Sequence, residues 1–224
     1  MKKLIYPSIF LLTIIIVLTM TRQNKIKILF FGDSLTEYGD HPGGYVRRLK
    51  TAVSENDSLN KYLLVSAGIS GNTVDDLYRR MEEDVIAEAP LVVVVYVGIN
   101  DVWHLLSGSG IKIDKFERYY EAIIKRLQEN NIKVVICTPS VIGEKKNNAN
   151  QLDAELEAFS EVVRKLAAAY NCSLIDLRKA FVNYEELHNV QDKDNGILTI
   201  DGVHLNDQGN QLVADEMMKT IFKQ

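Results

Sequence analysis

The feature that most constrains this chain is a set of five short apolar runs, residues 26–31, 62–66, 91–97, 133–138 and 173–177, each rich in Val, Ile or Leu. They do not alternate apolar with polar residues, so they read as strands buried on both faces rather than strands with one wet side. Stretches with helical spacing separate them: 45–54, then 74–87 with Thr73 as the expected N-cap, 114–129, 152–170, and a last helix over about 206–222. Strict alternation of strand and helix predicts a parallel sheet with right-handed crossovers and helices on both faces. The expected architecture is α/β, a three-layer α/β/α domain whose five-stranded parallel sheet has the flavodoxin-like order 2-1-3-4-5. In such a sheet ligands bind where the loops at the carboxyl ends of the strands converge. The connections 37–44, 103–113, 143–151 and 183–200 are longer than plain linkers and are expected to shape a pocket there.

With 224 residues and 46% hydrophobic content, the chain is long enough for one domain with a sizeable core. Residues 1–25 stand apart from it. Lys2 and Lys3 precede an apolar run from Leu4 to Met20, Arg22 and Lys25 follow, and no acidic residue occurs in the segment. This composition is that of an export signal or a membrane anchor, with residues 26–224 as the folded domain. The apolar run reaches the lower limit for a spanning helix, and no small-x-small cleavage site follows it. A retained anchor, with residues 4–20 associated with the membrane, is therefore favoured over a cleaved signal. Lys2 and Lys3 orient the domain to the far side of the membrane, an exported location.

Four of the 26 Lys and Arg residues lie in that segment, leaving 22 against 30 Asp and Glu in the remainder, a net charge of −8. An acidic domain with scattered cations is a poor partner for nucleic acid, and none is expected. Cys137 and Cys172 would suggest a disulfide in an exported protein, but they fall at opposite ends of two expected neighbouring strands. Buried free thiols are expected instead.

Four short motifs fall where predicted strands end or the last helix is about to begin. Gly32-Asp33-Ser34-Leu35 follows the first strand, where a Ser hydroxyl can face a ligand and the Ser N–H can be donated; alternatively, Ser34 caps a helix. Asp201-Gly202-Val203-His204 sets a carboxylate and an imidazole one turn apart, able to pair, or else a capping Asp beside a surface His. Asn100, in Gly98-Ile99-Asn100-Asp101, offers a neutral amide donor suited to an oxyanion, or a local turn with Asp101 as the loop's structural anchor. In the run from Gly68 to Gly71, the missing side chain of Gly68 allows its N–H to approach a substrate closely. Neither dinucleotide nor P-loop glycine spacing follows the first strand, and His41, His104 and His188 are scattered over separate loops, so neither a phosphate site nor a metal site is expected.

Taken together and in this order, the four segments from Gly32 to His204 resemble the sequence blocks of the SGNH hydrolase superfamily, also called GDSL esterases and lipases. That resemblance implies a serine esterase with Ser34 as nucleophile, His204 as base and Asp201 orienting it. It implies an oxyanion hole of the Ser34 and Gly68 N–H groups with the Asn100 side chain, and no cofactor. The substrate implied is a carboxylic ester, short-chain or an O-acetyl group on carbohydrate. The resemblance leaves open a lysophospholipase or thioesterase, and a catalytically silent cell-envelope protein is the further alternative.

Overall fold

The computed structural model describes residues 25–222, so the expectations for residues 1–24 lie outside the described part. Five parallel strands form one sheet in the order β2-β1-β3-β4-β5. They are β1 Ile26–Gly32, β2 Tyr62–Gly68, β3 Val92–Tyr96, β4 Lys133–Cys137 and β5 Ser173–Ile175. The interior strand β1 pairs with β2 from Ile26↔Tyr62 to Gly32↔Gly68 and with β3 from Ile28↔Val92 to Gly32↔Tyr96. Leu29, Phe31, Val93, Val94 and Val95 have no exposed surface, as the unbroken apolar runs require. Each such side chain removed from water contributes about 1.5–3 kcal/mol.

Helices cover both faces. They are α1 Ser34–Gly39, α2 Tyr45–Glu55, α3 Val74–Met81, α4 Ile99–Trp103, α5 Ile113–Glu129, α6 Asp153–Ala169, α7 Leu177–His188 and α8 Asp207–Ile221. On one face α2 packs on α8, and on the other α3 packs on α5 and α5 on α6. Among the described residues no helix is long and apolar enough to cross a membrane.

Three elements depart from those expected. The β5 strand stops at Ile175 because the Asp176 carboxylate accepts the Lys179 N–H and starts α7, placing a helix in the region expected to run into a loop. The short helix α1 runs into the connection expected over 37–44 and takes up its first residues, 37–39. The helix expected over 74–87 changes after Met81 into one π-helical turn, Glu82–Ile86.

Cys137 and Cys172 are both free thiols. Cys137 pairs in register with Ile175, three positions beyond Cys172 on the neighbouring strand, an offset of roughly 10 Å along the sheet. Cys137 is buried as expected, but Cys172, just ahead of the short β5, is only half-buried.

Candidate active site

The carboxyl edge of the sheet brings Ser34, His204 and Asp201 together. Gly32 ends β1 so close to its surroundings that a Cβ there would lie 2.3 Å from Thr36 Oγ1 and from Tyr96 O. The chain then turns into α1 with Asp33 as N-cap, its Oδ1 accepting the Leu35 N–H at 3.0 Å. The Asp33 carbonyl accepts from Thr36 and Glu37. The Ser34 N–H, the one donor of that turn left over, makes no hydrogen bond among the described residues.

Asp201 and His204 sit in a tight turn before α8. Asp201 Oδ1 accepts the backbone N–H of Val203 at 3.0 Å and of His204 at 2.8 Å, while Oδ2 faces His204 Nδ1 at 2.8 Å. Partial burial works to raise the Asp201 pKa, but the hydrogen bonds from the His204 ring and from these two peptides outweigh it and hold the carboxyl below the usual range. The other ring nitrogen, Nε2, lies 3.2 Å from Ser34 Oγ. Carboxylate, imidazole and hydroxyl thus stand in series, and with Nδ1–H directed to Asp201 the Nε2 lone pair faces the hydroxyl.

Asn100 lies in the first turn of α4, entered through Gly98 at φ +130, and is buried. Its Nδ2 donates to Asn72 O at 3.0 Å, which leaves its second N–H unused. Asp101 accepts the Val74 N–H with both oxygens, at 3.1 and 3.2 Å, and so ties the Asn100 loop to the start of α3, the anchoring role expected of it.

Gly68 occupies a different place from the one expected. A Cβ on it would lie 2.2 Å from Glu37 N and 2.6 Å from Thr36 C, so its missing side chain makes room for α1. Ile69 N–H donates to Gly32 O across the ladder. Alternate residues of a strand point their N–H groups to opposite sides, so that of Gly68 is directed to the free edge of β2, away from β1. Gly71, at φ +78, has open space around it. In its loop the N–H groups of Ile69, Ser70, Asn72, Thr73 and Val74 all have partners, whereas that of Gly71 has none among the described residues. Ser70 on one side is bound to Glu37 of α1, and Asn72 on the other to Asn100.

Two further residues, given no role of their own by the motifs, shape the site. Arg80 on α3 donates to Gly32 O at 2.8 Å, Ala67 O at 3.0 Å and Asn72 Oδ1 at 2.7 Å, stitching together the ends of β1 and β2 and the Gly71 loop. Asp33, expected only as part of Gly-Asp-Ser, is buried with Oδ2 unpartnered, and this desolvation pushes its pKa up to about 7. Burial raises Asp101 to about 7 as well, with the nearby Asp33 adding to the shift.

Open clefts flank the turn from Asp201 to His204. One of about 550 Å³ is lined by Leu35, Tyr38, His41, Ile200 and Asn210, the other of about 390 Å³ by Trp103, Leu106, Ile142, Gln151 and Asn195. The rings of Tyr38 and Trp103 lie 5.5 and 6.4 Å from that of His204. Among the described residues no group of three or more His, Cys, Asp or Glu could hold a metal ion. His41 packs on Tyr38 and His188 stacks on Tyr184.

Known proteins share this arrangement of chain. The crystal structure of an acetyl xylan esterase, AlAXEase, superposes with a TM-score of 0.85 at 50% sequence identity, covering 87% of this chain and 98% of that one. An acetylxylan esterase of Geobacillus stearothermophilus is 30% identical over 174 residues, 69% of this chain and 77% of its own. An isoamyl acetate-hydrolyzing esterase of Schizosaccharomyces pombe is 24% identical over 203 residues, 89% of this chain and 76% of its own. A sequence model of the GDSL-like lipase/acylhydrolase family matches residues 30–212, so the chain belongs to that family and is a carboxylic ester hydrolase.

Proposed function

We propose that Ser34 is the nucleophile of an esterase that removes short acyl groups, acetyl above all, from carbohydrate. The observation that carries the mechanism is the series Asp201 Oδ2, His204 Nδ1 and Nε2, Ser34 Oγ, at 2.8 and 3.2 Å. Ser34 Oγ attacks the acyl carbon while His204 Nε2 takes the hydroxyl proton, and Asp201 stabilises the imidazolium. Collapse of the tetrahedral intermediate breaks the bond to the alcohol oxygen, which leaves with the proton from His204. Water then gives up a proton to His204 and attacks the acyl-Ser34 ester, releasing the carboxylic acid and restoring the hydroxyl.

The negative oxygen of each tetrahedral intermediate needs N–H donors that are not already spent. Three fit: the Ser34 N–H, the free N–H of Asn100 Nδ2, and the Gly71 N–H in place of the Gly68 N–H. Gly68 keeps the role its contacts support, that of allowing α1 to approach β2.

The acyl and alcohol preferences are supported by the acetate esters named for two of the relatives. The faces of Trp103 and Tyr38 beside His204, in clefts open to solvent, fit the flat apolar face of a sugar ring. The basic and apolar segment 1–25 supports an exported location for the domain, whose natural substrate would then be an extracellular or envelope carbohydrate. The test is kcat/KM on p-nitrophenyl esters from acetyl to decanoyl, together with acetate release from acetylated xylan. A maximum at acetyl and release of acetate are expected; a maximum at long chains with no release would overturn the substrate assignment.

A further inference from the structure

The connection between β4 and α6 carries a carboxylate that touches none of the residues of the proposed triad. Glu144 has no exposed surface, and it forms no ion pair among the described residues. Its Oε1 accepts the backbone N–H of Leu198 and of Thr199, each at 2.6 Å, and the Thr199 hydroxyl at 2.9 Å. Its Oε2 accepts the N–H of Ile197 at 2.7 Å. Three successive peptide N–H groups converging on one anion form a nest of the kind that elsewhere holds a bound phosphate; here the protein's own side chain fills it. Four donors on two oxygens, all of them accepting, repay much of the cost of burying a carboxylate without a cation.

The segment so held is the one that delivers Asp201 and His204. Thr199 Oγ1, while donating to Glu144, accepts the Gly202 N–H at 3.0 Å. The neighbouring Gly143 N–H donates to Gly202 O at 2.8 Å, so both the N–H and the carbonyl of Gly202 are tied to the Glu144 connection, the N–H through Thr199. Ile200 N–H in turn donates to His204 O at 2.7 Å, closing the turn on itself. The chain of contacts therefore runs from Glu144 through Thr199 to Gly202, which lies between Asp201 and His204.

We infer that Glu144 is a positioning residue for catalysis, whose buried carboxylate sets the 197–204 turn so that Asp201 and His204 are aimed at Ser34. This rests on the Ser34, His204 and Asp201 reading above. Glu144→Gln keeps size and shape but turns an N–H₂ toward peptide donors, so at least one N–H of the nest loses its acceptor. The turn shifts, the bond geometry between His204 and Ser34 loosens, and chemistry slows while the clefts that bind substrate are left in place.

The experiment measures kcat and KM on p-nitrophenyl acetate, and the rate constant for fluorophosphonate modification per folded molecule, for the full-length parent, Glu144→Gln, Thr199→Val and Ser34→Ala. For Glu144→Gln a fall in kcat and in the modification rate of about 100-fold is expected, with KM changed far less. Thr199→Val removes only the hydroxyl that links Glu144 to the Gly202 N–H, and a fall of about tenfold is expected. Parental kcat and modification rate in folded Glu144→Gln, with only a lower Tm, would overturn the inference. Should Glu144→Gln fail to fold, parental kcat in Thr199→Val would overturn it instead. A parent that neither turns over ester nor reacts with fluorophosphonate would remove the esterase reading and this inference with it, an outcome distinct from the other two.

Discussion

His204 Nε2 stands 3.2 Å from Ser34 Oγ although 170 residues of chain separate them. The sheet makes that approach possible. The strand order reverses at β1, which lies between β2 and β3, so the turn after Gly32 opens at the switch point of the carboxyl edge, and α8, which follows the Asp201–His204 turn, packs on α2.

Replacing Asn100 by Ala removes the amide N–H that its bond to Asn72 O leaves unspent. The expected outcome is a fall in kcat of about 10²-fold to 10³-fold with a smaller change in KM, since the donor acts on charge that develops in the transition state. Steady-state kinetics on p-nitrophenyl acetate check it, and a rise in KM alone would make Asn100 a substrate-binding residue instead.

Gly68 and Gly71 should separate cleanly on substitution by Ala. At Gly68 the new Cβ meets the Glu37 and Thr36 backbone, so a stability loss of about 1–3 kcal/mol or more is expected in denaturant titrations. At Gly71 the new Cβ meets nothing, and the strain of the positive φ costs roughly 1–2 kcal/mol. There the displaced peptide N–H should lower kcat by about tenfold or more, less than outright loss of a donor. The reverse pattern, with kcat spared in folded Gly71→Ala, would return the oxyanion role to Gly68.

The dependence of stability on pH follows from three buried acids. Desolvation raises Asp33 and Asp101 from 3.8 to about 7, and Glu185 from 4.5 to about 8. Below pH 4 both the folded and the unfolded chain hold these protons. Between about pH 4 and 8 the unfolded chain releases them while the folded one retains them, so stability falls as pH rises and stays lower above pH 8. Carboxyls held low, Asp201 and Asp176 among them, act in the opposite sense, and their contribution is lost as pH falls below their ordinary value of 3.8. Calorimetry should therefore find a higher Tm near pH 5 than near pH 8.5. Each kcal/mol corresponds to about 2–4 °C for a domain of this size. A Tm that rises steadily from pH 5 to 8.5 would contradict the burial of these groups.

The architecture was legible because strands 26–31, 91–97 and 133–138 carry apolar residues without alternation, a pattern that only a sheet covered on both faces requires. That Ser34, Asp201 and His204 would meet was implied by the resemblance of the four motifs, taken together, to the SGNH hydrolase blocks; their positions at strand and helix ends left a capping Ser and a surface His open. What escaped has backbone atoms as partners. Arg80 binds the carbonyls of Gly32 and Ala67, and Glu144 the N–H groups of Ile197, Leu198 and Thr199; every residue has these groups, so no residue type marks them. Gly68 and Gly71 differ in φ and in the crowding around them, neither of which a one-letter Gly records.

The residue that carries the acyl group is the centre of the proposed mechanism. The parent and Ser34→Ala, treated with a fluorophosphonate and digested for peptide mass spectrometry, give that answer in one measurement. A single adduct on Ser34 is expected in the parent and none in Ser34→Ala, which should lose p-nitrophenyl acetate turnover together with labelling. An unlabelled but active parent, an adduct on another residue, or parental turnover by a folded Ser34→Ala would contradict it.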